Sequence, residues 1–210
     1  MTSASITPSS LRDIIRDATW RSHARLDAAM NRLDIGRPAT YAEFLRGQAE
    51  ALFPLETALE RAGIHELLPD WEQRRRTPAL EHDLAALDTG VDPLPVPLLG
   101  RGGDGCSAEM LGAMYALEGS RLRARVILAR LAEAPDTTVI GATAYLRHGF
   151  GRRFWPTFLA ALESDAQARA HPARAIAGAE LAFGLFERAL APTAGSPADR
   201  TAAAGQFEAA

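Results

Sequence analysis

Apolar residues recur at steps of three and four along most of the chain, and no segment shows the strict alternation of a strand. The most regular run lies between Ser107 and Ala134. There Met110, Leu111, Met114, Leu117, Leu122, Val126, Ile127 and Leu131 recur as a buried helix requires, capped by Ser107 and ending before Pro135. Gly119, in the middle of this helix, costs about 1 kcal/mol relative to alanine. It serves either the close packing of another helix or a flat ligand lying against the backbone, and the pattern alone leaves both open.

Upstream, Ser10-Leu11-Arg12-Asp13 opens a first helix whose stripe is Leu11, Ile15, Ala18, Ser22, Leu26, Ala29 and Leu33, with His23 at its edge. Thr40-Tyr41-Ala42-Glu43 opens a second, with Phe44, Leu45, Gln48, Leu52, Leu55 and Leu59 on one face, a kink at Pro54 and a stop at Gly63. Thr77-Pro78 starts a short third helix carrying Leu80, Leu84 and Leu87, ending near Asp88. A proline- and glycine-rich connection spans 89–105. Further helices are predicted over 143–148, 154–163 and 172–190, the last with Ile176, Ala179, Phe183, Phe186 and Leu190 inward. The expectation is an all-α, single-domain bundle of six to eight helices over 10–191, with flexible tails at 1–9 and 192–210.

A chain of 210 residues suits one well-buried domain. Its net charge of −3 argues against nucleic acid as a partner. No run reaches the ~18 apolar residues of a membrane span, and the first residues have neither the basic start nor the apolar stretch of a secretory signal. The single cysteine, Cys106, forms no internal disulfide and is read as incidental, which makes a reducing cytoplasm the expected compartment.

Of the five histidines, His65, His82, His148 and His171 sit at helix ends, on a short amphipathic helix or beside glycine and proline, where packing or surface roles are the default. His23 differs. Arg16 lies seven residues earlier, two helical turns and about 10 Å along the same face. An imidazole that binds iron and a guanidinium that holds a carboxylate would together suit a metalloporphyrin. A di-metal carboxylate site would need Glu-x-x-His pairs, and none occurs. Zinc spacing, a nucleophile elbow and a phosphate-binding loop are also missing. Arg74-Arg75-Arg76 and Arg152-Arg153 read as solvated faces.

Two segments carry a resemblance. Ala18-Thr19-Trp20-Arg21-Ser22-His23-Ala24-Arg25-Leu26-Asp27 resembles the proximal-histidine helix of the heme oxygenase family, and Tyr115-Ala116-Leu117-Glu118-Gly119-Ser120-Arg121-Leu122 resembles its distal helix. Phe154 to Glu163 and the last helix through Phe183 are similar to the bacterial, biliverdin-producing branch, so the likeness covers most of 10–190. It implies that His23 is the iron ligand, that Arg16 and Tyr115 meet the heme propionates, and that the backbone of Gly119 and Ser120 lies against the distal face. It further implies a propionate contact from Arg152 and packing of Phe183 near the distal pocket. Heme is substrate and cofactor in this family. Dioxygen and electrons from a reductase or ferredoxin convert it to biliverdin, carbon monoxide and iron.

One position departs from the pattern. Four residues after Gly119 the family usually has a second small residue, and here stands Arg123. One turn on, it starts on the same face as Gly119. It would block oxygen, disturb ordered water or hold a neighbouring carboxylate, or else bend away and leave the pocket open. The readings to separate are therefore an active heme oxygenase, a heme-binding or sensing protein whose chemistry Arg123 has ended, and a helical partner-binding module without heme. The related thiamine-degrading enzymes would need a cysteine nucleophile in the helical core, and none is placed there.

Overall fold

The computed structural model describes residues 10–100, 103–133 and 136–191. The tails expected at 1–9 and 192–210 lie outside these described residues. Among them the chain forms eleven α-helices and no strand: α1 (Leu11–Asn31), α2 (Pro38–Ala62), α3 (Ile64–Leu67), α4 (Trp71–Arg74), α5 (Thr77–Ala86), α6 (Cys106–Ala132), α7 (Thr137–Gly141), α8 (Ala144–Arg147), α9 (Phe154–Ser164), α10 (Ala166–Ala170) and α11 (Pro172–Ala189). The six long ones are those the periodicity predicts. Of the five short ones, α8 falls within the helix predicted over 143–148, whereas α3, α4, α7 and α10, of four or five residues each, are too short to show a period and take the number past the six to eight expected.

Helix α6 crosses the middle of the molecule and packs chiefly on α11, which in turn packs on α1 and α2. Small residues permit the α6–α11 approach. A Cβ on Gly112 would fall 1.9 Å from the Ala175 carbonyl oxygen, and one on Gly178 would fall 2.0 Å from that of Glu109. The first half of α6 is accordingly buried almost all round. Its second half is not, and Leu122 and Val126, expected inside, are 58% and 62% exposed.

Helix starts depend on partners distant in sequence. Ser10 Oγ accepts from the Asp13 amide at 3.1 Å as predicted, but Glu163 of α9 also accepts from the Leu11 and Arg12 amides. The second helix begins at Pro38, ahead of the predicted Thr40. Thr77 does not cap α5: its hydroxyl donates to Glu56 of α2 at 2.7 Å, and the same buried carboxylate accepts from the Arg76 and Thr77 amides. Ser107 does not cap α6, which starts at Cys106, and its hydroxyl donates instead to Asp165 at 2.8 Å. In α1, Thr19 rather than Ala18 faces inward, its hydroxyl donating to the Ile15 carbonyl at 2.8 Å.

Pro54 lies inside α2, which continues through it to Gly63, a left-handed C-cap with φ of 94°. Lacking an N–H, proline leaves the carbonyl four residues earlier without its helical donor. That carbonyl belongs to Glu50, and it accepts instead from the Leu94 amide at 2.9 Å. The 89–100 part of the long connection is thereby tied to α2, with Val91 and Leu94 packed on the core.

Candidate active site

A cavity of about 490 Å³ opens between α1 and the second half of α6, with α11 contributing Phe183 and Phe186. Its size falls within the ~300–1,000 Å³ of small-molecule and cofactor sites. On the α1 side it is lined by Arg12, Arg16, Thr19, Trp20, His23 and Asp27, and on the α6 side by Tyr115, Gly119, Ser120, Leu122 and Arg123. A Cβ placed on Gly119 would meet nothing nearer than the Trp155 ring at 3.9 Å. Of the two roles open to this glycine, helix packing therefore belongs to Gly112, and Gly119 bares main chain to the cavity.

His23 is 59% exposed and lines the cavity. Its ring stands edge-on to Phe183, with centroids 5.9 Å apart, so Phe183 packs beside His23. His23 Nδ1 lies 3.2 Å from one oxygen of Asp27, and the other oxygen of Asp27 pairs with the Arg123 guanidinium. Arg123 thus lines the cavity and reaches from α6 to a carboxylate on α1. Among the described residues no three His, Cys, Asp or Glu converge on a metal site.

At the other end stand Arg16 and Tyr115. Arg16 is exposed and already engaged, with Asp13 at 2.6 Å and Asp17 at 2.9 Å, and these two carboxylates raise its pKa further, Asp17 most. A ligand carboxylate would have to displace them. Burial raises the Tyr115 pKa, an effect Arg12 and Arg16 oppose. Arg12, which the sequence reading passed over, adds a second cation to this end. Arg152 is exposed and does not line the cavity; it sits in the turn before α9.

The wall beyond Gly119 is polar and buried, a feature the sequence reading missed. Arg74 and Arg76, read as a solvated face, are 2% and 4% exposed. Arg76 donates to Ser120 Oγ at 3.0 Å and to the Leu117 carbonyl at 3.2 Å, and lies over the Tyr145 ring. Arg74 and Arg121 flank the buried Glu118, at 3.5 and 3.0 Å. Burial, and then the charge of Arg76, push the Arg121 pKa down to about 10, which leaves it charged at neutral pH.

Arg121 Nη1 also lies 2.9 Å from His148 Nδ1. A guanidinium can only donate, so Nδ1 accepts and the proton of this imidazole sits on Nε2. Desolvation, with Arg121 and Arg76 nearby, lowers the His148 pKa to about 4, and the ring is neutral at pH 7. Tyr145 completes the wall, donating to Gln48 Oε1 at 2.9 Å. It is held in place by Asp83, whose buried carboxylate accepts from the Ala144 and Tyr145 amides at 2.9 and 2.8 Å. The signal available in the sequence was only the three-residue spacing of Glu118 and Arg121 on the predicted central helix, which puts the two charges side by side.

The structure therefore brings Arg16, His23, Tyr115, Gly119, Ser120, Arg123 and Phe183 to one cavity and leaves Arg152 outside it. The features fit a flat, largely apolar ligand with acidic arms: the His23 imidazole on one wall, side-chain-free backbone at Gly119 on the other and the cations of Arg12 and Arg16 at one end.

No protein-family model matches the chain. A solved structure of the heme oxygenase from Neisseria meningitidis, in its NO- and CO-bound forms, shares the fold with a TM-score of 0.70. That match covers 90% of this chain and 99% of the other at 19% identity. The curated heme oxygenase of Xanthomonas campestris pv. campestris (strain 8004) is 34% identical over 157 residues, 74% of this chain and 91% of that protein. A sequence relationship of that depth and extent, on an all-α fold shared with a bacterial heme oxygenase, means that the chain belongs to the heme oxygenase family.

Proposed function

We propose that the chain, through its 10–191 domain, binds heme in the α1–α6 cavity and cleaves it to biliverdin, carbon monoxide and iron. Dioxygen is the oxidant and a reductase or ferredoxin the electron source, in the cytoplasm; among the described residues no helix is long and apolar enough to cross a membrane. The observation that carries this reading is the pairing of His23 on one wall with the open main chain of Gly119 on the other.

Heme, when bound, supplies the iron at which dioxygen is activated and is itself the molecule cleaved. His23 Nε2 would ligate that iron, because Nδ1 is turned to Asp27. Arg16, Arg12 and Tyr115 would receive the propionates at the cation-rich end. Phe183 and Trp155 would pack on the ring, and Arg152, placed outside the cavity, takes no part. Gly119 and Ser120 would fence the far face of the ring with backbone, so that shape directs which ring edge is exposed to attack. Proton supply falls to the polar wall. Ser120 Oγ accepts from Arg76, donates to the Leu117 carbonyl at 2.7 Å, and so is held still at the cavity surface. The Nε2–H of neutral His148 and the Tyr145–Gln48 pair offer donors that order water without carrying charge into the pocket.

Hemin titration tests binding: the histidine-ligated absorption spectrum is expected in the native protein and lost in His23→Ala. Aerobic turnover with a competent reductase is then expected to give the biliverdin absorption band. Hemin uptake through His23 without bile pigment would reject the catalytic reading and retain the heme-binding one.

A further inference from the structure

Asp27 stands between two partners from opposite walls of the cavity. One oxygen lies 3.2 Å from His23 Nδ1 on the same helix, and the other is paired with Arg123 of α6. Both Asp27 and Arg123 are about one-third exposed, so the pair is only partly screened by water. Its position follows from helix geometry. Asp27 is one turn beyond His23 and Arg123 one turn beyond Gly119, so the pair joins α1 to α6 one turn past the point where the imidazole and the bare backbone line the cavity.

A carboxylate beside the Nδ1–H of a ligating histidine draws that proton and makes Nε2 a stronger donor, which favours the ferric state of an iron bound there. A guanidinium on the far oxygen of the same carboxylate withdraws part of that negative charge. We infer that Arg123 is a positioning residue for the iron ligand: acting through Asp27, it weakens the electron donation of His23 and raises the ferric/ferrous potential of bound heme. The arginine that breaks the small-residue pattern of α6 thereby belongs functionally to the opposite helix. This rests on the proposal that His23 ligates heme.

The test is spectroelectrochemical titration of the hemin-loaded protein, with the iron–histidine stretch read by resonance Raman in the ferrous state. Arg123→Gln is expected to shift the ferric/ferrous equilibrium about tenfold toward ferric, ~59 mV for a one-electron couple, with a higher stretching frequency. Arg123→Lys, which keeps the charge, restores most of the native value. Asp27→Asn moves potential and frequency the opposite way, and in that background Arg123→Gln changes the stretch no further.

An Arg123 effect of full size in the Asp27→Asn background would mean a direct through-space charge and would overturn the inference. So would an unmoved potential and stretch in Arg123→Gln. Both outcomes leave heme ligation by His23 intact. A hemin spectrum that is unchanged in His23→Ala would overturn the ligation itself, and this inference with it.

Discussion

Gly112 and Gly119 lie seven residues apart on α6, two turns along nearly the same face. At the first, a methyl group would strike the α11 backbone; at the second it would meet only the edge of Trp155. Between Cys106 and Glu118 only Ser107, Glu109 and Tyr115 escape full burial, whereas after Gly119 only Ala124, Ile127 and Leu131 are buried. One residue type thus serves opposite ends within one helix. Gly112 removes a side chain so that protein can come close, and Gly119 removes one so that protein stays away.

The difference makes sharply unequal mutational costs. Gly112→Ala forces a Cβ into the Ala175 carbonyl and should lose about 3 kcal/mol or more, seen as a lower denaturant midpoint in urea. An unchanged midpoint there would show that the two helices separate easily and would erase the contrast. Glu56→Ala should come next. It strips the carboxylate from the Arg76 and Thr77 amides and frees the arginine that holds α6 at Leu117 and Ser120, for about 2 kcal/mol. The same denaturation series reads it, with weaker hemin uptake by absorbance titration.

Gly119→Ala should go the other way and stabilise the fold by about 0.5–1 kcal/mol, since helix propensity improves and nothing collides. Gly119→Leu should remain folded yet bind hemin about tenfold or more weakly. A Gly119→Leu protein that takes up hemin normally would place the ligand elsewhere. The last effect appears only at acid pH and concerns His148. Its pKa of about 4 in the folded protein lies below the ~6.5 of an exposed imidazole, so the unfolded chain binds the extra proton first. The stability from this group is complete above pH ~6.5 and is lost as pH falls toward 4. His148→Gln should flatten that part of the stability profile.

The long helices were legible because each buries a continuous stripe, and His23, Gly119 and the oddity of Arg123 stood out on them. What stayed hidden was whatever depends on a partner far along the chain. Glu56 caps α5 from 20 residues away, Asp83 caps α8 from 62, and Glu163 caps α1 from 151. Local rules look for the cap within three residues and so favoured Thr77 and Ser107. The Arg74–Arg76 run read as surface for the same reason: its partners, Glu118 and the carbonyl of Leu117, belong to α6. Leu122 and Val126 continue the apolar pattern on a side of α6 that no neighbour covers, while Ala124, Ile127 and Leu131 keep a narrower buried stripe; periodicity alone cannot report how wide the covered face is.

The interruption at Pro54 has an effect beyond α2. Glu50 holds a single backbone oxygen for which two suitors exist: an amide at position 54, absent in proline, or the amide of Leu94. Pro54→Ala would mend the helical ladder and make the Leu94 amide share the Glu50 oxygen, weakening its hold. A substitution that improves the helix on paper should therefore loosen the adjoining crossover, detectable as faster protease nicking between residues 89 and 100.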